Sequence, residues 1–164
     1  MPLVDLLSDL VRIDSINPDL VAGAVGEGEI ARFAAGWLED AGLDVEVEEV
    51  APGRFNVVGI ARGSGGGRTL LLNAHMDTVG VAGMEDPFEP AVRDGRLHGR
   101  GSYDMKGGLA AIMLAGAEAA RAGLSGDVIV TAVCDEEVAS VGSARVAERF
   151  RADAAIVSEP TEMR

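Results

Sequence analysis

The residues best suited to chemistry stand where apolar runs end. "TLLLNAH" finishes on His75, and one residue further comes Asp77. "VIVTAVC" gives way to Asp135, Glu136 and Glu137, and "AAIVS" gives way to Glu159. Another acid, Asp104, sits just before the Lys106-Gly107-Gly108 helix start. Residues two apart in an extended chain share a face, so His75 and Asp77 project together from one strand end. One histidine with several carboxylates is a donor set for zinc, cobalt or manganese, not for a soft thiolate site. In open α/β sheets the carboxyl ends of the strands line the ligand crevice, which lets residues far apart in sequence converge.

Each residue alone also has a plainer reading. His75-x-Asp77 is short enough to arise by chance. The Glu136-Glu137 pair suits a solvated helix cap, Asp104 an N-cap, and Glu159 before Pro160 a turn acid. Their common location at strand and helix termini is what raises a joint metal site above the separate readings. On the residues alone both remain open.

Other motifs carry less. "GEGEIA" holds part of a dinucleotide fingerprint but starts a helix after a loop, with no strand before it. "GSGGGRT" lacks the lysine and spacing of a phosphate loop and enters a strand. Both read as turns. Cys134 lies inside an apolar strand and reads as a buried, inert thiol. His98 reads as an ordinary strand residue and Trp37 as helix packing. Lys106 is the only lysine in a chain whose other cationic side chains are all arginine. It either does something arginine cannot or is a chance survivor.

The elements that must position these groups follow from periodicity. Leu3, Leu6, Leu7, Leu10 and Val11 have helical spacing over residues 3–14, and Asn17-Pro18 stops that helix. A second helix fits "GEGEIARFAAGWLEDAG". "LDVEVEEV" alternates as a half-exposed strand, and a Pro52-Gly53 turn leads to the more apolar "FNVVGIAR". After "GSGGG" comes "TLLLNAH", so the opening half is helix, helix, then a run of neighbouring strands. Residues 76–90 show no periodicity, and segments of that length are more often functional than idle. Short strands flank Asp94-Gly95. An Ala-rich helix to about Ala122, the strand "DVIVTAVC", a helix in "SARVAERF" and a final strand "AAIVSE", read as buried on both faces, complete the chain. That alternation predicts a substantially parallel, helix-covered α/β sheet.

Bulk properties set the limits. The 164 residues are about one domain in size and enough for a real core. A formal charge of -13 repels nucleic acid and anionic membrane surfaces. A single cysteine cannot form an internal disulfide, the N-terminus carries acids where a signal peptide needs a basic end, and no run reaches ~18 apolar residues. The expectation is a soluble cytoplasmic protein.

"NAHMDTV", "GRGSYDMKGGLAA", "CDEEVASVGS" and "SEPT", in that order and at these intervals, resemble the acetylornithine deacetylase and succinyl-diaminopimelate desuccinylase family of dinuclear zinc amidohydrolases, with its aminoacylase and carboxypeptidase relatives. The resemblance implies a zinc-peptidase-like αβα sandwich with a mixed sheet. It implies two divalent metals, zinc first, with cobalt or manganese as alternatives. His75 and Glu159 would bind one metal and Glu137 the other, with Asp104 bridging them. Asp77 would orient His75, and Glu136 would be the general base. The substrate would be a small N-acyl amino acid or peptide, with acetylornithine the best guess.

The family's chains are at least twice this long. They continue into a lid domain that forms the usual homodimer, and supply a later metal-binding histidine. The only histidines here are His75 and His98. Residues 1–164 are therefore expected to be the first part of a catalytic domain, with the lid and the remaining catalytic part absent. Two functions of different class follow: a hydrolase of N-acyl amino acids, or a noncatalytic metal-binding fragment or one piece of a split hydrolase, inactive alone.

Overall fold

The helical spacing of the N-terminal leucines becomes α1 (Leu3–Arg12) in the computed structural model, which describes residues 2–161. Leu6, Leu10 and Val11 form its buried face. Helix α2 (Gly28–Asp40) buries Ile30, Ala34 and Leu38. Strands β1 (Asp44–Ala51) and β2 (Arg54–Ala61) form a hairpin whose turn uses Gly53 at φ 73°. Then come β3 (Leu70–His75), β4 (Ala91–Arg93) and β5 (Arg96–His98). The β4–β5 loop is Asp94-Gly95, both at positive φ (50° and 73°), as a two-residue type I′ hairpin turn requires. The chain continues through α3 (Lys106–Ala122), β6 (Val128–Val133), α4 (Val141–Arg149) and β7 (Ala154–Val157).

The main sheet is mixed, with strand order β1-β2-β6-β3-β7. Pairs β6–β3 and β3–β7 are parallel, whereas β1–β2 and β2–β6 are antiparallel. The expected parallel character therefore holds for three strands only. Nor do β2 and β3 neighbour each other, because β6 inserts between them. All six residues of β6 are buried, and so apolar a strand belongs at the centre, covered on both faces. Helices α2 and α3 pack on one face with α1 against α3, while α4 touches β1, β2 and β6. Alternation along β2 separates the layers: Gly59 abuts Leu38 of α2, and Asn56 bonds Gly142 of α4. The result is the αβα arrangement.

Beside α4 the sheet is only partly covered. An open groove of about 680 Å³ runs between α4 and the β3–β7 edge, lined by Leu71, Val146, Phe150, Ala155 and Val157 among others. None of the metal-site candidates lines it. The final strand departs from the expected two-sided burial: Ala154–Val157 are all exposed. Among the described residues β7 pairs only with β3, and no helix covers it. An apolar strand with one open edge is prone to associate. The chain of residues 1–164 should self-associate at micromolar concentration, and Ile156→Lys should shift it toward monomer in sedimentation velocity. A wild-type chain that is monomeric throughout would show the edge to be harmless.

Lys106 has a structural task. Its side chain is completely buried, and Nζ donates to the carbonyl oxygens of Leu10 (3.0 Å) and Ile13 (2.7 Å) at the end of α1. Burial lowers its pKa to about 7, with Asp14 opposing the shift. An arginine could not shed its proton there. Space is short as well, since a Cβ on Gly101 would come within 3.1 Å of Lys106 Cδ. Lys106→Arg should lower the unfolding free energy by about 3 kcal/mol or more, read from the urea midpoint. A loss below about 1 kcal/mol would show that the pocket accepts a guanidinium.

Candidate metal centre

Because β3, β6 and β7 run the same way, their carboxyl ends open on one edge of the sheet. His75 is the last residue of β3, the acidic turn follows β6, and Glu159 follows β7. Asp104 arrives from the other direction, ahead of α3. The Gly107-Gly108 pair lets that helix start close to β7: a Cβ on Gly108 would lie 2.6 Å from the Ser158 carbonyl oxygen. The N-cap of α3 is Met105, without a side-chain cap bond, so Asp104 is not the cap.

His75, Asp104 and Glu159 each offer a ligand atom within 4.8 Å of the other two. His75 Nε2 lies 3.2 Å from Asp104 Oδ1, 3.5 Å from Glu159 Oε1 and 3.7 Å from Glu136 Oε2. The imidazole is 1 % exposed and the Asp104 side chain 53 %, so a buried ring faces carboxylates that open to solvent. Glu137 stands beside this group and not in it, within the field of His75, Asp104, Asp77 and Glu136. Glu136 and Glu137 occupy a turn that ends before Ser140, the N-cap of α4. They are therefore not that helix's cap.

On the far side of the ring, His75 Nδ1 faces Asp77. The nearest acceptor is the main-chain carbonyl of Asp77 at 2.9 Å, and its carboxylate Oδ1 lies at 3.4 Å. The carboxylate accepts the N–H groups of Glu136 (3.0 Å) and Glu137 (3.1 Å) and the Asn17 amide (2.7 Å). One buried carboxylate thus ties the end of β3 to the turn after β6.

Burial works against a charged His75, but the hydrogen bond and charge of Asp77, with Glu159 and Glu136, outweigh it and raise the ring to about 9. Burial would also raise Asp77, yet its bonds to His75, Asn17 and the Glu136 N–H hold it below the usual carboxylate range. Glu137 and Glu159 are pushed up, first by burial and then by the like charges of Asp104, Asp77 and Glu136, against the pull of His75. Carboxylates crowded around one imidazole nitrogen repel each other, and a divalent cation relieves that repulsion. The donor set of one nitrogen and carboxylate oxygens fits zinc, cobalt or manganese. Cys134, buried and pushed up to about 12 chiefly by burial, offers no thiolate.

Periodicity did not reveal a second layer of polar residues. Asn17 reads in sequence as a helix stop and Glu27 as part of a turn, while Arg54 falls between the Pro52-Gly53 turn and the strand "FNVVGIAR". All three are buried, together with Asp135. Arg54 Nη2 reaches Asp135 Oδ1 (2.8 Å) and Glu27 Oε1 (2.9 Å), while Nη1 donates to Asn17 Oδ1 (3.1 Å) and Asp19 Oδ2 (3.1 Å). The one local hint is strand alternation, which places Arg54, Asn56 and Val58 on a single face.

A mixed α/β sheet whose parallel strands deliver a His/Asp/Glu cluster at their carboxyl ends is an α/β fold with a candidate metal centre. The chain belongs to Peptidase family M20/M25/M40, whose pattern matches residues 71–164. It is 36% identical to an N-formyl-4-amino-5-aminomethyl-2-methylpyrimidine deformylase of Bacillus subtilis, over 82% of this chain and 34% of that protein. It is 32% identical to an acetylornithine deacetylase of Vibrio campbellii, over 98% of this chain and 43% of that protein. The chain thus spans between a third and a half of the length of these relatives. Its fold is that of an M20 family metallo-carboxypeptidase from Sulfolobus solfataricus (TM-score 0.80, 21% identity, 96% of this chain and 37% of that one). Human carnosine dipeptidase 1 is similar in the same way (TM-score 0.76, 22% identity, 96% and 38%). No helix among the described residues is long and apolar enough to cross a membrane.

Proposed function

We propose that these residues form most of the active site of a metal-dependent hydrolase that cleaves a small acyl group from an amine nitrogen. The observation that carries this reading is the convergence of His75, Asp104 and Glu159 at the carboxyl edge of the sheet. Similarity to the deformylase and the deacetylase supports the substrate class, since both are named for removal of a small acyl group. Acetylornithine is one member of that class.

In this reading His75, Glu159 and Asp104 would hold one divalent ion, and Glu137 with Asp104 would hold a second. Zinc is the first choice, with cobalt or manganese as substitutes. Such ions, when bound, lower the pKa of a water and polarise a carbonyl oxygen. The rest of the work belongs to the protein. Asp77 holds the His75 ring and, through two N–H groups, the turn that presents Glu136. Glu136 takes the water's proton and returns it to the departing amine. A lid and dimer contact supplied by further chain belong to the same proposal.

A second reading, that residues 1–164 hold metal without turnover, is favoured by one observation. Only a single His/Asp/Glu set converges among the described residues, and it lacks Glu137. One experiment separates the two: load the purified chain with zinc or cobalt, measure retained metal, and follow amine release from N-formyl and N-acetyl amines. Retention with release supports the hydrolase, and retention without release supports the second reading. Retention by His75→Ala equal to wild type removes both.

A further inference from the structure

The buried layer behind the metal centre has no part in the proposed chemistry, yet its side chains are joined to one another by hydrogen bonds. Asn17 is fully buried and sits at its middle. Its main chain is fixed to the extension of β3, with the Asn17 N–H donating to the Thr78 carbonyl (2.9 Å) and Ile16 bridging Thr78. Its side-chain Nδ2 donates to Asp77 Oδ2 (2.7 Å) and to Asp135 Oδ1 (3.2 Å). Its Oδ1 accepts from Arg54 Nη1 (3.1 Å) and from the Asp19 N–H (3.0 Å). Every polar group of the amide is used, and the two carboxylates it joins belong to different strand ends.

Those carboxylates would repel one another without it. Asp77 follows β3 and Asp135 follows β6, and each is almost wholly buried. Arg54 pairs with both Asp135 and Glu27, and Glu27 Oε1 in turn accepts the Asp135 N–H (3.0 Å). Arg54 does not touch Asp77. Among the described residues Asn17 is the side chain that hydrogen-bonds both Arg54 and Asp77, and so links the arginine to the carboxylate that meets the ring of His75 and the N–H groups of Glu136 and Glu137. Asp135 has a left-handed backbone, φ 61°, at the start of that turn. A non-glycine residue holds such a conformation only where its surroundings over-determine it.

We propose that Asn17, oriented by Arg54, is a positioning residue for the metal centre. By donating to Asp77 and Asp135 together it fixes the β3 end, with His75, relative to the turn that carries Glu136 and Glu137. The metal part of this inference rests on the reading above, whereas the placement of the turn does not. Partners that orient a ligand directly are typically worth ~10–100-fold in metal affinity, and Asn17 acts one step behind such a partner, Asp77.

Two variants separate donation from packing. Asn17→Asp keeps the size and the acceptor for Arg54 but, ionised, donates to neither carboxylate and, protonated, to one at most. Asn17→Ser stays neutral but is too short to reach both. The metal-free chain is followed by residue-resolved amide hydrogen exchange, with cobalt binding titrated separately. In both variants the Glu136 and Glu137 amides should lose protection by about tenfold or more, while Leu72 and Val130 in the central strands stay within about threefold of wild type. Cobalt affinity should fall about tenfold or more.

Unchanged protection at Glu136 and Glu137 in both variants would overturn the proposal. A uniform loss across the sheet, or unfolding of both variants, would overturn it equally, because Asn17 would then serve the whole fold and not the site. If the wild-type chain binds no cobalt at all, the metal reading fails, and the exchange result still decides the positioning role.

Discussion

Glu136→Gln in the metal-loaded enzyme that contains these residues should reduce amide hydrolysis by about 10²–10⁴-fold or more while leaving metal content within about twofold of wild type. Glutamine preserves the shape of the side chain and cannot accept a proton. The Glu136 main chain would still donate to Asp77, so the turn that presents position 136 should keep its place. Removing the charge also removes one of the carboxylates that crowd the His75 ring, at 3.7 Å from Nε2. That loss weakens the attraction for a cation somewhat, but His75, Asp104 and Glu159 remain as the converging donor set, so metal content should stay within that range. The measurement is metal content by emission spectroscopy beside steady-state amine release. If metal and activity fall together, Glu136 is a ligand or a structural residue, and the proton must be handled elsewhere.

The site was more legible than its support, for a physical reason. An apolar run that ends abruptly on an acid or histidine marks the carboxyl end of a buried strand, and in parallel strands those ends share an edge. That logic picked out His75 and Glu159 from their own segments, and the Gly107-Gly108 pair marked where Asp104 enters. Glu137 shows its limit, because strand ends locate a residue to a turn but do not say which side chain of the turn reaches the cluster. Asn17, Glu27 and Arg54 gave almost no signal, since a buried polar residue is defined by its partner. The two carboxylates that Asn17 joins are 60 and 118 residues away. Nothing local distinguishes it from a helix-stopping asparagine before a proline. The same holds for Lys106, whose two acceptors, on Leu10 and on Ile13 just after α1, lie more than 90 residues earlier. The sheet order erred differently. Adjacent segments were read as neighbours, but β6, the most buried strand, took the centre between β2 and β3.

Metal affinity should depend steeply on pH, with a sign fixed by His75. In the metal-free protein burial disfavours the imidazolium, yet Asp77, Glu159 and Glu136 together raise it to about 9. At pH 7 the ring therefore carries a proton that a metal ligand cannot keep. Binding must release it, so apparent cobalt affinity should rise about tenfold per pH unit from pH 6.5 to near 9 and then level off. At pH 7 it should stand about 100-fold below the plateau. Stability of the metal-free chain is a poorer readout, because two buried groups pull it in opposite directions. The raised His75 contributes stability that is complete below pH 6.5 and lost as pH rises through 9. Lys106, depressed from 10.5 to about 7, gives a contribution that grows over that upper interval. Cobalt absorption titrated at a series of pH values isolates the first effect, and His75→Ala should abolish the absorption at every pH. Asp77→Asn removes the main group that holds the proton on His75, so it should flatten the slope while lowering the plateau by about tenfold or more. An affinity independent of pH between 6.5 and 9 would mean that His75 is neutral in the free protein or is not a ligand. The second outcome would remove the only imidazole from the proposed site.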